Sequence, residues 1–226
     1  MELLIDTADL NDIQDCAEHL PLSGVTCNPS IVKKSAPKDF FEHMNKIRGI
    51  IGMERSFHIQ IIAEDFEGQM KEAHEIFDAV DDEVYIKVPV NWVGLKTIQA
   101  LKQEGHHVTA TAVYDLMQAY MAMTAGADYI APYVNRIGNI GGDPNELISK
   151  LSSRIDHDGC NCKIVAASFH SIQQVKDSLN AGAQAVTVSP DLYRSILANT
   201  NIAKAVDDFR SDWESIYGKG AGISGK

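Results

Sequence analysis

Long apolar runs, basic clusters and targeting segments are all scarce in this sequence of 226 residues. No stretch approaches the roughly 18 consecutive apolar residues that a membrane-spanning helix needs, and the N-terminus lacks the basic and apolar regions of a signal peptide. We therefore expect a cytoplasmic protein without a membrane partner. The formal net charge of -11 argues against a nucleic-acid partner, because electrostatic binding of nucleic acid needs a basic face.

Metal-binding and cofactor-binding motifs are also lacking. Four cysteines occur, and the C-x-C pair Cys160 and Cys162 has no second pair that would complete a zinc spacing. His106 and His107 are adjacent, so on a strand they would face opposite ways, and the remaining histidines are scattered, mostly on predicted helices. No G-x-G-x-x-G dinucleotide fingerprint directly follows a predicted strand, and no G-x-S-x-G elbow is present. We expect no metal and no cofactor.

Short apolar runs alternate with amphipathic segments along the chain. The predicted strands are 2–6, 24–28, 56–62, 84–88, 107–113, 129–133, 163–168 and 185–189. The predicted helices are 9–20, 37–48, 65–79, 92–104, 115–125, 144–155, 171–181 and 190–197. Repeated strand–helix units imply a parallel sheet, and eight units in this length predict an α/β fold of the (β/α)8 TIM-barrel kind. The alternative, a doubly wound open sheet, calls for a glycine-rich turn after the first strand, where this chain has Asp6-Thr7-Ala8-Asp9.

Local signals place several helix ends. Asp143, Pro144 and Glu146 fit the N-cap, first and third positions of a helix that follows a loop over 138–142. Glycines at three predicted helix ends provide residues that adopt a left-handed conformation easily: Gly105, Gly126 and Gly182.

A further helix is predicted at about 201–216, after the eighth unit. Its apolar positions step by three and four residues and form one stripe: Ile202, Val206, Phe209, Trp213 and Ile216. An eight-fold ring has no place for an extra helix. We predict a barrel over 1–199, a C-terminal helix over 200–217 that packs on a neighbouring subunit, and a flexible glycine-rich tail over 218–226.

Lys87 interrupts an apolar run, VYIKVPV at 84–90. A strand with buried faces does not usually tolerate an unpaired ammonium group. If burial lowers its pKa, the neutral amine can attack a carbonyl and form a Schiff base. Alternatively, the lysine pairs with a carboxylate or extends its charged end into water.

Strand alternation brings polar side chains to the C-terminal ends of most predicted strands. In a barrel of this kind the chemistry takes place at those ends. Taken singly, each hydroxyl or amide has a structural explanation, such as a bond to the backbone. Together they predict a ring around a polyhydroxylated ligand, with Lys87 as the nucleophile of a metal-free Schiff-base lyase or transferase. The ring comprises Asp6, Thr26, Asn28, Gln60, Lys87, Thr111, Tyr133 and Ser168.

Six motifs carry a resemblance to a known family. They are LIDTA at 4–8, GVTCNPS at 24–30, IKVP at 86–89, TAVY at 111–114, APYVNR at 131–136 and AASF at 166–169. The sequence resembles the transaldolase family from residue 2 to about residue 217, in the small-subunit branch that includes fructose-6-phosphate aldolase. The family's usual TTNPS is TCNPS here, and strand alternation turns Cys27 away from the site.

The resemblance implies a (β/α)8 barrel with the Schiff-base Lys87 on strand four. It also implies aldol cleavage of a ketose phosphate between C3 and C4. The resemblance implies that Asp6, Thr26 and Asn28 contact substrate hydroxyls or assist proton transfer. It implies that Arg136 and Ser168 bind the phosphate. A guanidinium group suits two phosphate oxygens, although Arg136 also fits a salt bridge at the barrel rim. Family members of this size resemble one another in forming rings of five that stack in pairs, so a pentamer or decamer is implied.

Two positions distinguish the activities within this branch. Transaldolases resemble one another in a glutamate on strand three and a phenylalanine on strand six, whereas this chain has Gln60 and Tyr133, the pair of the fructose-6-phosphate aldolase group. With Thr111 assisting dehydration, the resemblance predicts cleavage of fructose 6-phosphate to dihydroxyacetone and glyceraldehyde 3-phosphate, and the reverse addition. The main alternative is a transaldolase of the pentose phosphate pathway, which would pass the three-carbon unit to erythrose 4-phosphate.

Two further alternatives stay open at this point. One is a barrel that binds sugar phosphates without converting them. The other is a Schiff-base aldolase of the deoxyribose 5-phosphate kind, which prefers a second lysine near the first. Lys163, near the start of predicted strand seven, should lie at the opposite end of the barrel.

Overall fold

Eight parallel strands pair in chain order and close into a barrel in the computed structural model, which describes residues 1–224. The strands are β1 Glu2–Asp6, β2 Leu22–Thr26, β3 Ser56–Gln60, β4 Tyr85–Pro89, β5 His107–Val113, β6 Tyr129–Pro132, β7 Lys163–Ala166 and β8 Ala185–Val188. The ring closes where β1 pairs with β8, with Ile5 opposite Val188. The predicted TIM-barrel fold is therefore confirmed, and the open doubly wound sheet is excluded.

Eleven helices are present in the described part of the chain. They are α1 Leu10–His19, α2 Pro29–Ser35, α3 Phe40–Ile51, α4 Phe66–Ala79, α5 Trp92–Gln103, α6 Leu116–Thr124, α7 Val134–Asn139, α8 Pro144–Asp158, α9 Ile172–Asn180, α10 Pro190–Leu197 and α11 Thr200–Tyr217. The predicted cap is confirmed, because the Asp143 carboxylate accepts hydrogen bonds from the backbone of Asn145 and Glu146. The predicted additional C-terminal helix is α11.

Two helices, α2 and α7, lie where the sequence indicated a chain break and a loop. Asn28 caps α2 and Pro29 occupies its first turn, an arrangement that favours a helix start. Helix α7 includes Gly138, so the predicted loop over 138–142 begins too early. With six residues, α7 is too short to show a clear helical period.

Several strands end earlier than predicted. The backbone and capping roles of three residues just beyond the observed strand ends account for this. Asn28 acts as the α2 cap, Tyr133 occupies the corresponding position before α7, and Ser168 has a left-handed backbone with φ 64°. Asn28 keeps an extended backbone, with φ -149° and ψ 168°, but its side chain caps α2 and ends the strand there, whereas the left-handed Ser168 cannot continue a strand. The three left-handed glycines at helix ends, by contrast, are confirmed, with φ of 89°, 95° and 110° at Gly105, Gly126 and Gly182.

Alternate strand residues divide the buried core into two faces. In β4, Ile86 and Val88 are completely buried on the face opposite Lys87. Inside the barrel, a small apolar cluster includes Leu4 and Tyr129, with the half-buried Tyr85 packed against it. The barrel interior is thus filled with side chains towards the starts of the strands, which leaves their ends for the site.

The chain separates by internal contacts into two compact units, Met1–Pro190 and the part from Asp191 onwards. The first contains all eight strands, and the second contains α11. No helix among residues 1–224 is long and apolar enough to cross a membrane. The predicted division at residue 199, the packing of α11 on a neighbouring subunit and the flexible tail stay predictions, and residues 225–226 of that tail lie outside the described residues.

Candidate active site

A cavity of about 490 Å³ opens at the C-terminal ends of the strands. All nine residues predicted from the sequence line it: Asp6, Thr26, Asn28, Gln60, Lys87, Thr111, Tyr133, Arg136 and Ser168. Seven strands or the segments directly after them contribute these side chains. Closing the barrel therefore brings together residues that are up to 162 positions apart in the sequence.

Cys27 lies on the other side of β2 from this cavity. It lines a separate, mainly apolar cavity of about 600 Å³ between the barrel and its helices. Its thiol is buried, and burial raises its pKa to about 12. The expectation that Cys27 faces away from the polar cavity is confirmed.

Lys87 lies in β4 with 5% of its surface exposed. Its Nζ donates a hydrogen bond to the backbone carbonyl of Cys27 at 2.8 Å. Within residues 1–224, no carboxylate forms an ion pair with this amine under a 4.0 Å limit. The structural alternative of a lysine held by a direct carboxylate partner therefore does not apply to the described chain.

Asp6 is the carboxylate that shares the cavity with Lys87. The Thr26 hydroxyl donates to Asp6 Oδ1 at 2.7 Å and also lies 2.7 Å from the Thr187 hydroxyl. Burial raises the pKa of Asp6, while the nearby Lys87 charge and the Thr26 hydrogen bond oppose that shift. Three neighbouring strands thus form one hydrogen-bonded chain across the barrel seam.

Tyr133 and Thr111 form a second polar pair in the cavity. Their hydroxyl oxygens are 3.0 Å apart, and Thr111 is completely buried whereas Tyr133 is partly exposed. A phenol in contact with a buried hydroxyl can pass a proton between the two oxygens or to a water. The pair therefore has the chemistry of a proton relay.

Arg136 lies at the exposed rim, in α7. Its Nη1 donates to the Tyr114 hydroxyl at 3.2 Å, and its guanidinium carbon lies 5.0 Å from the centre of the Tyr133 ring. The Tyr114 hydrogen bond is the main cause that raises the pKa of Arg136. This partner is a neutral phenol and leaves the positive charge of Arg136 uncompensated, as an anion site requires.

Gln60 ends β3 beside Lys87, its partner in the register of the two strands. Its Oε1 atom is buried and accepts no hydrogen bond from any described residue. Buried amide oxygens are nearly always hydrogen-bonded to protein or water. The free acceptor therefore indicates that a water or a ligand hydroxyl binds at this point of the cavity.

Ser168 and Asn28 border the cavity through strained or capping backbone. The left-handed Ser168 accepts a hydrogen bond from the Asn135 amide through its carbonyl, at 3.0 Å. The Asn28 side chain accepts from the amides of Ser30 and Ile31. A non-glycine residue with positive φ is uncommon and costs energy, and such residues cluster at functional sites.

Sequence reasoning missed several polar side chains that line the cavity, including Lys34, Thr109 and Thr187, and it missed Tyr114, whose hydroxyl accepts the Arg136 hydrogen bond. Alternation within β8 pointed to Thr187, the one polar residue of that strand's interior. Thr109 lies below Lys87 and its hydroxyl is 2.8 Å from His58 Nδ1. Burial and the Lys87 charge lower the pKa of His58 well below its usual range, so this histidine is neutral at pH 7.

Lys163 lies at the opposite end of the barrel from Lys87. Its Nζ bonds to Glu2 Oε1 at 2.5 Å, and the Tyr129 hydroxyl donates to the other oxygen of the same carboxylate at 2.6 Å. Glu2 is the first residue of β1. Lys163 is therefore not a second lysine of the site, and the deoxyribose 5-phosphate alternative lacks the residue it prefers.

The fold and the cavity together define an α/β-barrel enzyme with its polar groups gathered at the strand ends. Residues 3–220 match the model of the family described as Transaldolase/Fructose-6-phosphate aldolase. The chain belongs to this family, and the resemblance seen in its motifs is confirmed. A relative from Streptococcus pneumoniae (strain ATCC 700669 / Spain 23F-1), named "Probable fructose-6-phosphate aldolase", is 47% identical over 213 residues, which cover 94% of this chain and 96% of the relative.

Proposed function

We propose that this protein is a class I aldolase that cleaves fructose 6-phosphate to dihydroxyacetone and glyceraldehyde 3-phosphate and catalyses the reverse addition. The observation that carries the proposal is the single cavity shared by Lys87, Gln60 and Tyr133. Gln60 cannot exchange a proton with a water, whereas Tyr133 can. This combination favours protonation and release of the three-carbon unit over its storage for an acceptor.

The first stage of the reaction forms the Schiff base. The neutral amine of Lys87 breaks its hydrogen bond to the Cys27 carbonyl and attacks C2 of the open-chain ketose. A water held by Gln60 Oε1 and the hydroxyl of Thr111 supports loss of water from the carbinolamine. The resulting iminium withdraws electrons from the C3–C4 bond.

The second stage breaks that bond. Tyr133, acting through a water, takes the proton from the C4 hydroxyl, and glyceraldehyde 3-phosphate leaves as C4 becomes a carbonyl. The electron pair of the broken bond forms an enamine on Lys87. Tyr133 then returns the C4 hydroxyl proton through the water to C3 of the enamine, and hydrolysis of the iminium by a second water releases dihydroxyacetone and restores the amine.

Substrate binding uses the two sides of the cavity. Asp6, Thr26 and Asn28 orient the hydroxyl groups near the lysine. Arg136 and Ser168 bind the phosphate, since a guanidinium group offers several donors in a plane and Arg136 retains its full charge beside Tyr114. A small, pre-formed polar site of this kind needs no metal for the chemistry described.

Transaldolase activity is the second candidate, because the matched family includes it by description and the barrel and lysine serve both reactions. In that case the enamine on Lys87 would attack the aldehyde of erythrose 4-phosphate. As expected from the sequence, we also propose that the protein forms a homo-oligomeric ring and is located in the cytoplasm.

The decisive experiment measures glyceraldehyde 3-phosphate released from fructose 6-phosphate, with and without erythrose 4-phosphate. Release without the acceptor supports the aldolase. Release only with the acceptor contradicts it and supports the transaldolase. A matched variant, Gln60→Glu, should increase the share of the transfer reaction, because it restores a carboxylate next to the bound water.

A third outcome separates catalysis from binding. If no product forms under either condition while fructose 6-phosphate raises the melting temperature, the protein binds the sugar phosphate without converting it. That result would overturn both catalytic readings and leave the fold assignment intact.

A further inference from the structure

Three metal-ligating side chains converge at the end of the barrel remote from Lys87. His74 belongs to α4, Glu104 caps the C-terminus of α5, and His106 directly precedes β5. The expectation of scattered histidines is wrong at this place. A short left-handed turn at Gly105 separates Glu104 from His106 and presents both to the neighbouring helix α4.

The distances within this cluster approach those of a metal site. His74 Nε2 lies 2.8 Å and His106 Nε2 lies 3.8 Å from the same oxygen, Glu104 Oε2, and the three ligand atoms all lie within 4.8 Å of one another. Around a tetrahedral zinc ion, with bonds of about 2.0–2.2 Å, neighbouring ligand atoms are about 3.3–3.5 Å apart. Side-chain adjustments of about 1 Å would therefore bring all three onto one ion.

Packing favours this convergence for His106. Its ring stacks on Phe77 with centroids 3.9 Å apart and planes inclined by 15°, and Phe77 is itself buried. The stacked ring carries Nε2 towards the Glu104 oxygen at a distance too long for a hydrogen bond. The His74–Glu104 hydrogen bond and the stacking of His106 on Phe77 thus hold both histidines beside the same carboxylate oxygen.

We propose that His74, Glu104 and His106 bind one divalent transition-metal ion, with zinc as the best match. Two imidazoles and one carboxylate are a donor set that zinc accepts while keeping a fourth position for water. Water can reach that position, because the side chains of His74 and Glu104 are 48% and 41% exposed. Since Lys87 lies at the other end of the barrel, the ion links α4 to the turn before β5 and takes no part in the chemistry.

The test is a zinc titration of the full-length protein after treatment with a chelator and dialysis. Isothermal calorimetry should show one more zinc equivalent bound by the wild type than by each of His74→Gln, Glu104→Gln and His106→Gln. Cobalt(II) should give the visible absorption of a low-symmetry, four- or five-coordinate site in the wild type, and this should be lost in the variants. At least tenfold weaker binding is expected for each substitution.

Two controls keep the result specific. His19→Gln alters another exposed histidine, which pairs with Asp15 at 3.3 Å, and it should leave zinc binding unchanged. Cys160→Ser removes zinc bound by the C-x-C pair, so that the remaining equivalent reports on the cluster. Circular dichroism verifies that each conservative substitution, including that of the partly buried His106, leaves the barrel folded.

The proposal would be overturned if Cys160→Ser and the double variant Cys160→Ser/His106→Gln bound zinc equally, or if the wild type gave no more cobalt(II) absorption than His106→Gln does. The cluster would then be a hydrogen-bonded pair with a stacked neighbour. The aldolase assay is independent of either result, because the metal cluster and the lysine site share no residue.

Discussion

The two ends of this barrel use polar residues in opposite ways. Where the strands begin, the Glu2 carboxylate bonds to both Tyr129 and Lys163, and both ring nitrogens of His58 are within hydrogen-bonding distance of hydroxyls. Where the strands end, the Gln60 Oε1 atom has no partner among the described residues. One end has satisfied its hydrogen bonds internally, and the other retains capacity for a ligand.

The difference follows from the same strands and the same alternation of side chains. Paired groups at the strand starts contribute to the stability of the folded state, because their desolvation is offset by mutual bonds. At the strand ends, the buried Gln60 Oε1 atom has no such bond from the described residues, so its desolvation cost is not offset within this part of the chain. Substitutions at the two ends should therefore separate stability from catalysis.

The largest effect is expected for Lys87→Met, compared with Lys163→Met at the other end. Loss of the nucleophile should lower the rate of cleavage by at least about 10³-fold. Borohydride trapping with dihydroxyacetone, read by mass spectrometry, should label the wild type and Lys163→Met. Labelling of Lys87→Met at the wild-type level would show that a different amine forms the Schiff base.

The next effect comes from removing one hydroxyl at the ligand end, in Tyr133→Phe. If Tyr133 relays the C4 proton, kcat should fall by about 10²–10⁴-fold, the usual contribution of a general acid–base group. The free energy of unfolding should change little, because this hydroxyl is partly exposed and bonds to a neutral group, Thr111. A kcat within about threefold of the wild type would remove Tyr133 from the mechanism.

The matched change at the other end of β6 is Tyr129→Phe. It deletes a partly buried hydrogen bond to the Glu2 carboxylate, and we expect a loss of about 1.5–3 kcal/mol in the free energy of unfolding, measured by urea denaturation. Cleavage by the folded enzyme should be unchanged. If Tyr129→Phe lowers kcat as much as Tyr133→Phe does, then stability and catalysis are not separated between the two ends of the barrel.

The smallest effect concerns the charge of Asp6 and depends on pH. Because burial raises the pKa of Asp6 above 3.8 in the folded state, the folded protein binds this proton more tightly than the unfolded chain does. The resulting destabilisation grows as the pH rises from 3.8 through the folded pKa and is complete above it. Asp6→Asn should therefore be more stable than the wild type at pH 7, with lower activity.

Urea denaturation of both proteins at several pH values measures this difference. The gain from Asp6→Asn should shrink as the pH falls towards 3.8, because Asp6 then loses its charge in the wild type as well. If the stability difference stays constant as the pH falls from 7 to 5 and below, the effect comes from packing or hydrogen bonding and not from the charge of Asp6.

Strand alternation predicted many of the residues that line the cavity, because a closed barrel converts every second side chain into an inward one. Asp6 and Lys87 illustrate this, since each occupies the cavity-facing parity of a strand, whereas Arg136 was assigned through the family resemblance. The bonds between strands were not predictable in the same way. The Thr26–Thr187 contact depends on how far β8 is staggered against β2, and no local pattern in the sequence encodes that offset.

Boundaries and clusters formed by packing were the weakest predictions. Tyr133 and Asn28 were predicted as strand ends, whereas each starts a short helix. For Asn28 the reason is that a helix cap and a strand end share an extended backbone. The cluster of His74, Glu104 and His106 spans two neighbouring helices and a turn. Its convergence depends on how those helices pack, and a spacing of about 30 residues carries no metal-binding motif.

The contact between Thr26 and Thr187 across the barrel seam, 161 positions apart, has a consequence for the order of events in folding. During synthesis, Lys87 is made well before β8, which begins at Ala185, so its chain segment exists for a long part of translation without a finished ring around it. Pairings between such distant segments form slowly. We therefore expect the return of activity during refolding to coincide with ring closure, later than the recovery of helical circular dichroism, so that a ribosome must complete nearly the whole chain before any substrate meets a reactive amine.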